Sequence, residues 1–349
     1  MRSGIAFALL AAVLFGASTP LAKRLVGEVP PIMLAGLLYA GSGIGLAIVL
    51  AARRVAGTRR ERIAWPSHRD AAWLAGAIAF GGILGPVFLM LGLTLASASA
   101  ASLLLNLEGV FTALLAWFLF RENFDSRIAV GMLAIAVGGA VLAWNPAGAG
   151  GVTPGASLVA AACLCWAIDN NLTRKVSGND AVVVAGIKGA IAGATNLGIA
   201  LALGQALPAT SVVLAAGLVG FFGYGLSLVL FVLALRHLGT ARTGAYFSIA
   251  PFAGAALAIM LQQDPVTAQL IVAGALMAVG VWLHVTERHG HRHVHEYLAH
   301  EHMHTHDEHH RHAHGPSWDG HEPHAHPHVH AAIEHAHAHY PDLHHRHRH

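Results

Sequence analysis

Three ionisable residues stand inside long apolar runs of this chain: Glu108, Asp169 and Lys188. A charged group near a bilayer centre costs at least about 2.5–3.5 kcal/mol, so each is a functional candidate by default. Glu108 lies two residues from Asn106 and next to Gly109, where the missing side chain leaves room for a ligand or water. A carboxyl group placed there can hold a substrate or exchange a proton; the plainer role is half of a buried ion pair. Asp169 is followed by Asn170 and preceded one turn earlier by Trp166, a polar cluster below an aromatic ring that suits a substrate cradle. Its nearness to Arg174 and Lys175 allows a blander role, a solvated interfacial carboxylate. Lys188 calls for a partner, Glu108 or Asp169, unless its stem snorkels to the surface. Tyr39, Tyr224 and Tyr246 are candidate hydrogen-bonding groups along a pathway, with core packing as the plainer role. Cys163 and Cys165 are two residues apart, so on a helix they point about 200° apart and read as packing residues rather than a metal pair.

A different chemistry belongs to the C-terminal segment. Residues 287–349 hold 24 of the 27 histidines, many at alternate positions: His291, His293, His295; His300, His302, His304, His306; His324, His326, His328, His330. Glu, Asp, Arg and Pro are interleaved with them, unlike an expression tag. Neutral imidazole suits Zn, Ni, Co and Cu, and His-x-His places two rings on one side of an extended chain. The expectation is a tail that binds a divalent transition metal (Zn, Ni or Co). The alternative is a brush that gains charge on acidification through groups titrating near about pH 6.5. The segment cannot build an apolar core and is expected to be disordered without metal. Nothing in the rest of the chain requires a cofactor.

The elements that must position the buried charges are membrane helices. The chain is 55% hydrophobic and 11% charged, against about 25% charged in soluble domains. About 20 apolar residues cross the hydrocarbon as a helix, and ten such stretches occur, near 4–22, 32–52, 71–93, 97–120, 128–144, 155–173, 181–203, 212–235, 243–262 and 267–285. They are too long for the roughly ten-residue alternation of a membrane barrel. The N-terminal run resembles a secretory signal, but a repeat described below uses it as a structural unit. With the N-terminus in the cytoplasm, the inner segments carry thirteen Lys and Arg and the outer ones only Lys23 and Arg24. Positive residues stay inside, so both termini are expected to be cytoplasmic, in a bacterial-type inner membrane. Trp65, Trp73, Trp117, Trp144 and Trp282 fall near span ends, where indole prefers the interface.

The two halves match each other. Phe15-Gly16 and Lys23-Arg24 correspond to Trp166-Ala167 and Arg174-Lys175 at an offset of 151, Ala35-Gly36 to Ala185-Gly186 at 150, and Gly109, Glu122 and Gly138 to Pro251, Asp264 and Gly280 at 142. The expected organisation is a five-helix repeat over 1–145, a Gly/Pro-rich linker over 146–154, a second repeat over 155–286 and the tail over 287–349. An odd number of spans inverts the second repeat, so the expected fold is all-α, ten transmembrane helices as two inverted five-helix repeats. Such repeats place a site near the midplane.

Leu14-Phe15-Gly16 with Lys23, Ala100-Ala101-Ser102-Leu103-Leu104 leading through Leu115-Ala116-Trp117 to Glu122, and their second-half counterparts resemble EamA-type members of the drug/metabolite transporter superfamily over about residues 1–286. Gly109 departs from a proline common there, retained as Pro251, and Asp264 stands where the first half has Glu122. The resemblance implies export of small organic molecules, often amino-acid-like, driven by proton exchange or by substrate gradients.

Three functions compete. The first is an exporter of a small metabolite with an accessory metal-binding tail. The second is a Zn, Ni or Co transporter fed by the tail; against it, no His lies mid-span and two carboxylates make a sparse ligand set. The third is a metal store that uses the spans only as an anchor, which needs neither many spans nor buried charge. No phosphate-binding Gly-x-x-x-x-Gly-Lys-Ser/Thr loop or other enzyme signature occurs. The arginines at 53–69 read as topology and anionic-lipid contact rather than nucleic-acid binding. The expected partners are a small-molecule substrate, the bilayer and metal ions, in a monomer or homodimer.

Overall fold

The computed structural model describes residues 2–55, 66–68, 70–120, 126–145, 151–176, 179–238, 240–286, 290–295, 298–304, 324–330 and 333–338. Arg59, Arg60, Arg62, Trp65, Arg69, Arg121, Glu122, residues 146–150 of the linker, Glu287 and His306 lie outside the described residues. So do the side chains of Arg54, Arg174, Arg236, Arg242 and the tail histidines. The chain divides into two units, Met1–Glu287 and Arg288–His349.

The first unit is helical: α1 (Arg2–Val26), α2 (Pro31–Val55), α3 (Ala71–Ala77), α4 (Gly85–Leu95), α5 (Ala98–Leu104), α6 (Asn106–Phe120), α7 (Ser126–Ala143), α8 (Pro154–Thr173), α9 (Ala181–Ala202), α10 (Thr210–Gly220), α11 (Ser227–Leu238), α12 (Thr240–Phe247), α13 (Ala250–Gln262) and α14 (Ala268–Val285). Starts are set by side-chain caps: Ser97 accepts from the Ala100 N–H, Asp180 from Val182 and Thr267 from Leu270. Among the described residues, eight segments are long and apolar enough to cross a membrane. Their outer faces expose Ile44, Ile48, Phe118, Leu133, Leu214 and Ile271, a surface suited to lipid and costly in water. Trp73, Trp117, Trp144 and Trp282 are exposed as well, as interfacial indoles would be.

The remaining two of the ten expected spans depart for physical reasons. The sixth, α8, is 20 residues long but carries Asp169, Asn170 and Asn171, which lower its mean hydropathy. The ninth is not one helix: it breaks at Ser248 and Ile249 between α12 and α13, where Pro251 cannot continue the hydrogen-bond ladder. The expected continuous fourth span also breaks, at Leu105 between α5 and α6, three residues before Glu108. The third and eighth spans each contain a π-helical turn, Ile78–Leu84 between α3 and α4 and Phe221–Leu226 between α10 and α11. Such turns recur at functional sites.

Packing follows small residues. At the crossing of α2 and α9, a Cβ on Gly43 would lie 2.5 Å from the Ala190 nitrogen, and one on Gly193 would lie 2.5 Å from the Ala40 nitrogen. At the crossing of α7 and α14, Gly131 meets Gly280 and Gly138 meets Ala273. In each pair, rising numbers on one helix meet falling numbers on the other, so the helices run antiparallel. Close backbone approach of this kind stabilises helices in lipid through dispersion. We expect Gly193→Leu to lower the thermal midpoint in detergent clearly, because the conflict is with backbone; overpacking costs about 1–3 kcal/mol. Gly198→Leu on the same helix serves as the control, since nothing lies within 4 Å of a Cβ there. Equal midpoints for the two variants would contradict the packing.

α1 packs against α11 and α13, while α8 packs against α4 and α6. Cys163 and Cys165 are free and buried within α8.

The second unit is described over residues 290–295, 298–304, 324–330 and 333–338. Its described residues form β1 (Gly290–His295) paired antiparallel with β4 (Ile333–Ala338), and β2 (Leu298–His304) paired antiparallel with β3 (His324–His330). The period of two in His-x-His is the period of a strand, so one face can be uniform without an apolar core.

Candidate functional site

α8 presents successive polar residues to two neighbours. The Asn170 amide donates to Glu108 Oε1 at 2.8 Å and to the Thr112 hydroxyl at 3.3 Å. Glu108 and Thr112 are one turn apart on α6, a spacing that puts them on one helix face. Asn171 ties the same two helices, donating to the Ala167 carbonyl at 2.8 Å and the Thr112 carbonyl at 3.2 Å. Asn170 is exposed and Glu108 partly so, and a side chain at Gly109 would meet nothing within 4 Å. Glu108 is therefore held by an amide on one side, with open space beside it.

Asp169 is engaged differently. Its Oδ2 forms an ion pair with the Lys188 ammonium of α9, and its Oδ1 accepts from the Thr173 hydroxyl at 2.8 Å. Both charged side chains are largely buried, 7% exposed for Asp169 and 15% for Lys188. Of the two partners considered for Lys188, the structure selects Asp169. This pair is seated on the first π-helical turn, where a Cβ on Gly81 would lie 1.9 Å from Asp169 Oδ2. The Gly81 carbonyl also accepts from Tyr39 at 2.7 Å and from the Trp166 indole at 3.0 Å. Tyr39 stacks on Tyr224 with ring centroids 5.4 Å apart.

The other candidates lie apart. Asn106 is buried at the break in the fourth span and donates to the Leu103 carbonyl at 2.9 Å and the Met277 sulfur at 3.8 Å. Tyr246 is half-buried on α12, an element packed chiefly on α1, α11 and α14. Sequence reasoning missed Thr112, Thr173 and Gly81. The two threonines each stand four residues after a carboxylate, a helical spacing that could have flagged them. Gly81 carried no local signal, because its role is the approach of a distant helix.

The two halves use one crossing with different chemistry. A Cβ on Gly223, 142 residues after Gly81, would lie 2.5 Å from the Ser18 Cβ, and Ser18 is 151 residues before Asp169. The positions equivalent to the buried ion pair are Ser18 and Leu38, so the charge belongs to one crossing only.

The far end of α1 is tied down. The Lys23 ammonium donates to the Leu93 carbonyl and to the Ala96 carbonyl at the end of α4, the latter at 2.9 Å. Arg24 donates to the Leu261 carbonyl at 2.6 Å, Gln262 to the Pro20 carbonyl at 2.7 Å, and the Ser99 N–H to Asp264 at 2.8 Å. These bonds join the ends of α1, α4, α5 and α13 on the side opposite the C-terminus of α8.

A many-span helical bundle with interrupted spans and a buried polar cluster at their crossing is the architecture of a membrane transporter. The chain belongs to the EamA-like transporter family, which it matches twice, over residues 2–144 and 153–286. It is 28% identical over 289 residues to an uncharacterized transporter of Methanothermobacter thermautotrophicus, across 78% of this chain and 83% of that one. A crystal structure of a protein 22% identical in sequence shares the fold with a TM-score of 0.59, covering 81% of this chain and 96% of the other.

Proposed function

We propose that this protein is a secondary-active exporter of small metabolites, amino-acid-like or drug-like, with Glu108 as the substrate- or proton-carrying group and the tail as a metal-binding accessory. The observation that carries the reading is the pairing of Glu108 with Asn170 beside an interrupted span, with open space at Gly109. Asp169 is already neutralised by Lys188, so the two carboxylates play separate parts rather than forming one cation-ligand set. That separation favours a metabolite over a transition metal as cargo.

Two inverted five-span repeats are supported by reciprocal contacts. Gly43 meets Ala190 and Ala40 meets Gly193, while each helix position recurs 150 residues later; Gly131 meets Gly280 and Gly138 meets Ala273 at an offset of 142. Self-complementary pairing of antiparallel helices is the signature of a two-fold axis perpendicular to them. In a membrane that axis lies in the bilayer plane and inverts one half. With both termini cytoplasmic, as the positive charge of the inner segments favours, the Lys23 ties close the outer side and Asn170 faces the inner one. Lipid surrounds the first unit in a bacterial-type inner membrane.

The test is efflux from proteoliposomes loaded with amino acids or with Zn, Ni or Co, for the full chain and for one ending near Glu287. Amino-acid efflux by both chains is the expected result. Metal efflux that requires both the tail and Glu108 would replace this reading with that of a metal transporter.

A further inference from the structure

The directions of the hydrogen bonds around Glu108 select the kind of group that can bind there. An asparagine amide carries two N–H donors, and Asn170 gives them to Glu108 Oε1 at 2.8 Å and to the Thr112 hydroxyl at 3.3 Å. Its donors are thereby spent within the protein. What remains for a ligand is mostly oxygen: Glu108 Oε2, the Asn170 amide oxygen and the Thr112 hydroxyl, which already accepts from Asn170. An ionised carboxylate only accepts, so it holds the amide with its nitrogen toward Glu108. Asn170 is exposed, Glu108 and Thr112 are partly so, and a side chain on Gly109 would meet nothing within 4 Å. The oxygens therefore border open space. The two lysines of the spans are engaged elsewhere: the Lys188 ammonium pairs with Asp169, and the Lys23 ammonium is held by the Leu93 and Ala96 carbonyls at the end of α4.

We infer that the cargo of this site is a metabolite of net positive charge, a basic amino acid or a related amine, with an ammonium group seated on Glu108 and Asn170. An ammonium has three donors and no acceptor, the complement of a site rich in acceptors. Bonds from an ammonium to a carboxylate are short, about 2.7–2.9 Å, and roughly twice as strong as neutral ones. Charge balance points the same way. Asp169 and Lys188 cancel each other, so Glu108 leaves the cluster with one uncompensated negative charge. Charge inside a membrane is costly until it is paired, and one net positive cargo pairs it. A neutral zwitterion brings its own carboxylate as well, so the occupied site stays negative. That carboxylate meets oxygens rather than donors, and a polar group left without a partner opposes binding. A cargo lacking the extra ammonium is rejected for the same reason: the polar atoms of the site lose their partner.

Because the charge of the cargo rests on the exporter reading, the experiment must separate the two. The full chain in proteoliposomes, with the membrane potential clamped at zero, is loaded in turn with lysine, with cadaverine and with norleucine. Lysine and cadaverine carry net positive charge, whereas norleucine has a similar carbon chain and is a neutral zwitterion. The faster of the two cations should leave at least about tenfold faster than norleucine, the effect of one hydrogen bond to a charged group. Glu108→Gln should bring that ratio close to one with the thermal midpoint in detergent unchanged. A purely structural role for Glu108 would slow all three cargoes together and keep their ratio. Norleucine efflux equal to or faster than that of both cations would overturn the positive cargo and leave a metabolite exporter. A cation preference that survives Glu108→Gln would overturn the seat on Glu108. Absence of protein-dependent efflux for all three would overturn the exporter reading and this assignment together.

Discussion

Glu108→Gln should reduce efflux of the transported metabolite by at least tenfold while leaving the folded protein intact. Glutamine is close in shape and keeps an oxygen to accept the Asn170 amide, so the 2.8 Å bond survives and α6 stays tied to α8. What disappears is the charge. Hydrogen bonds to charged groups contribute about 1.5–3 kcal/mol, which at about 1.4 kcal/mol per decade is roughly tenfold to over a hundredfold. Initial efflux rates from proteoliposomes, with the thermal midpoint in detergent as the folding control, make the measurement. An unchanged rate would remove Glu108 from the transport pathway, and a collapsed midpoint would assign it to packing. Thr112→Val is a milder probe of the same place, since Asn170 keeps its shorter bond to Glu108.

Asp169→Asn should destabilise the protein by about 3–5 kcal/mol, because it leaves the Lys188 ammonium buried without its counter-charge. Lys188→Met should cost a similar amount by stranding Asp169. The double variant, Asp169→Asn with Lys188→Met, should recover most of the loss, since removing both charges also removes their desolvation cost. Thermal midpoints of the four proteins form a double-mutant cycle, and the coupling should be large because the partners touch. Additive losses would mean that the pair is solvated and that α8 and α9 are held together otherwise. The same cycle read by efflux asks whether the pair is part of the moving machinery or a fixed strut. Glu108 is the group left to act if it is a strut.

Much of the membrane unit was legible in order and length. Long apolar runs can hide their backbone polarity from lipid only as helices, so Arg2–Val26, Pro31–Val55 and Ala268–Val285 follow almost directly from composition. The offsets of 151, 150 and 142 residues pointed to a doubled organisation, and the family model matches two stretches, residues 2–144 and 153–286. The breaks were not legible. Leu105 lies in an unremarkable apolar run, and only the crossing of α5 and α6 with their neighbours makes a turn there favourable. The π-helical turns at Ile78–Leu84 and Phe221–Leu226 were hidden for the same reason, since one extra residue per turn leaves no mark on composition.

Glu108, Asp169 and Lys188 were identifiable as costly groups from sequence alone, because residue type and an apolar setting define that cost. Which of them neutralises which was decided by tertiary structure. Lys188 is 19 residues from Asp169 and 80 from Glu108 in sequence, but separation along the chain does not determine distance across a helix bundle. The choice came from the close approach of α8 to the glycine turn at Gly81, which seats Asp169 against α9 and leaves Glu108 to Asn170. In the tail, the alternation of histidine determined which face of a strand they share. The pairing of strands far apart in sequence determined which histidines stand opposite each other, because parity between two strands is a property of neither strand alone.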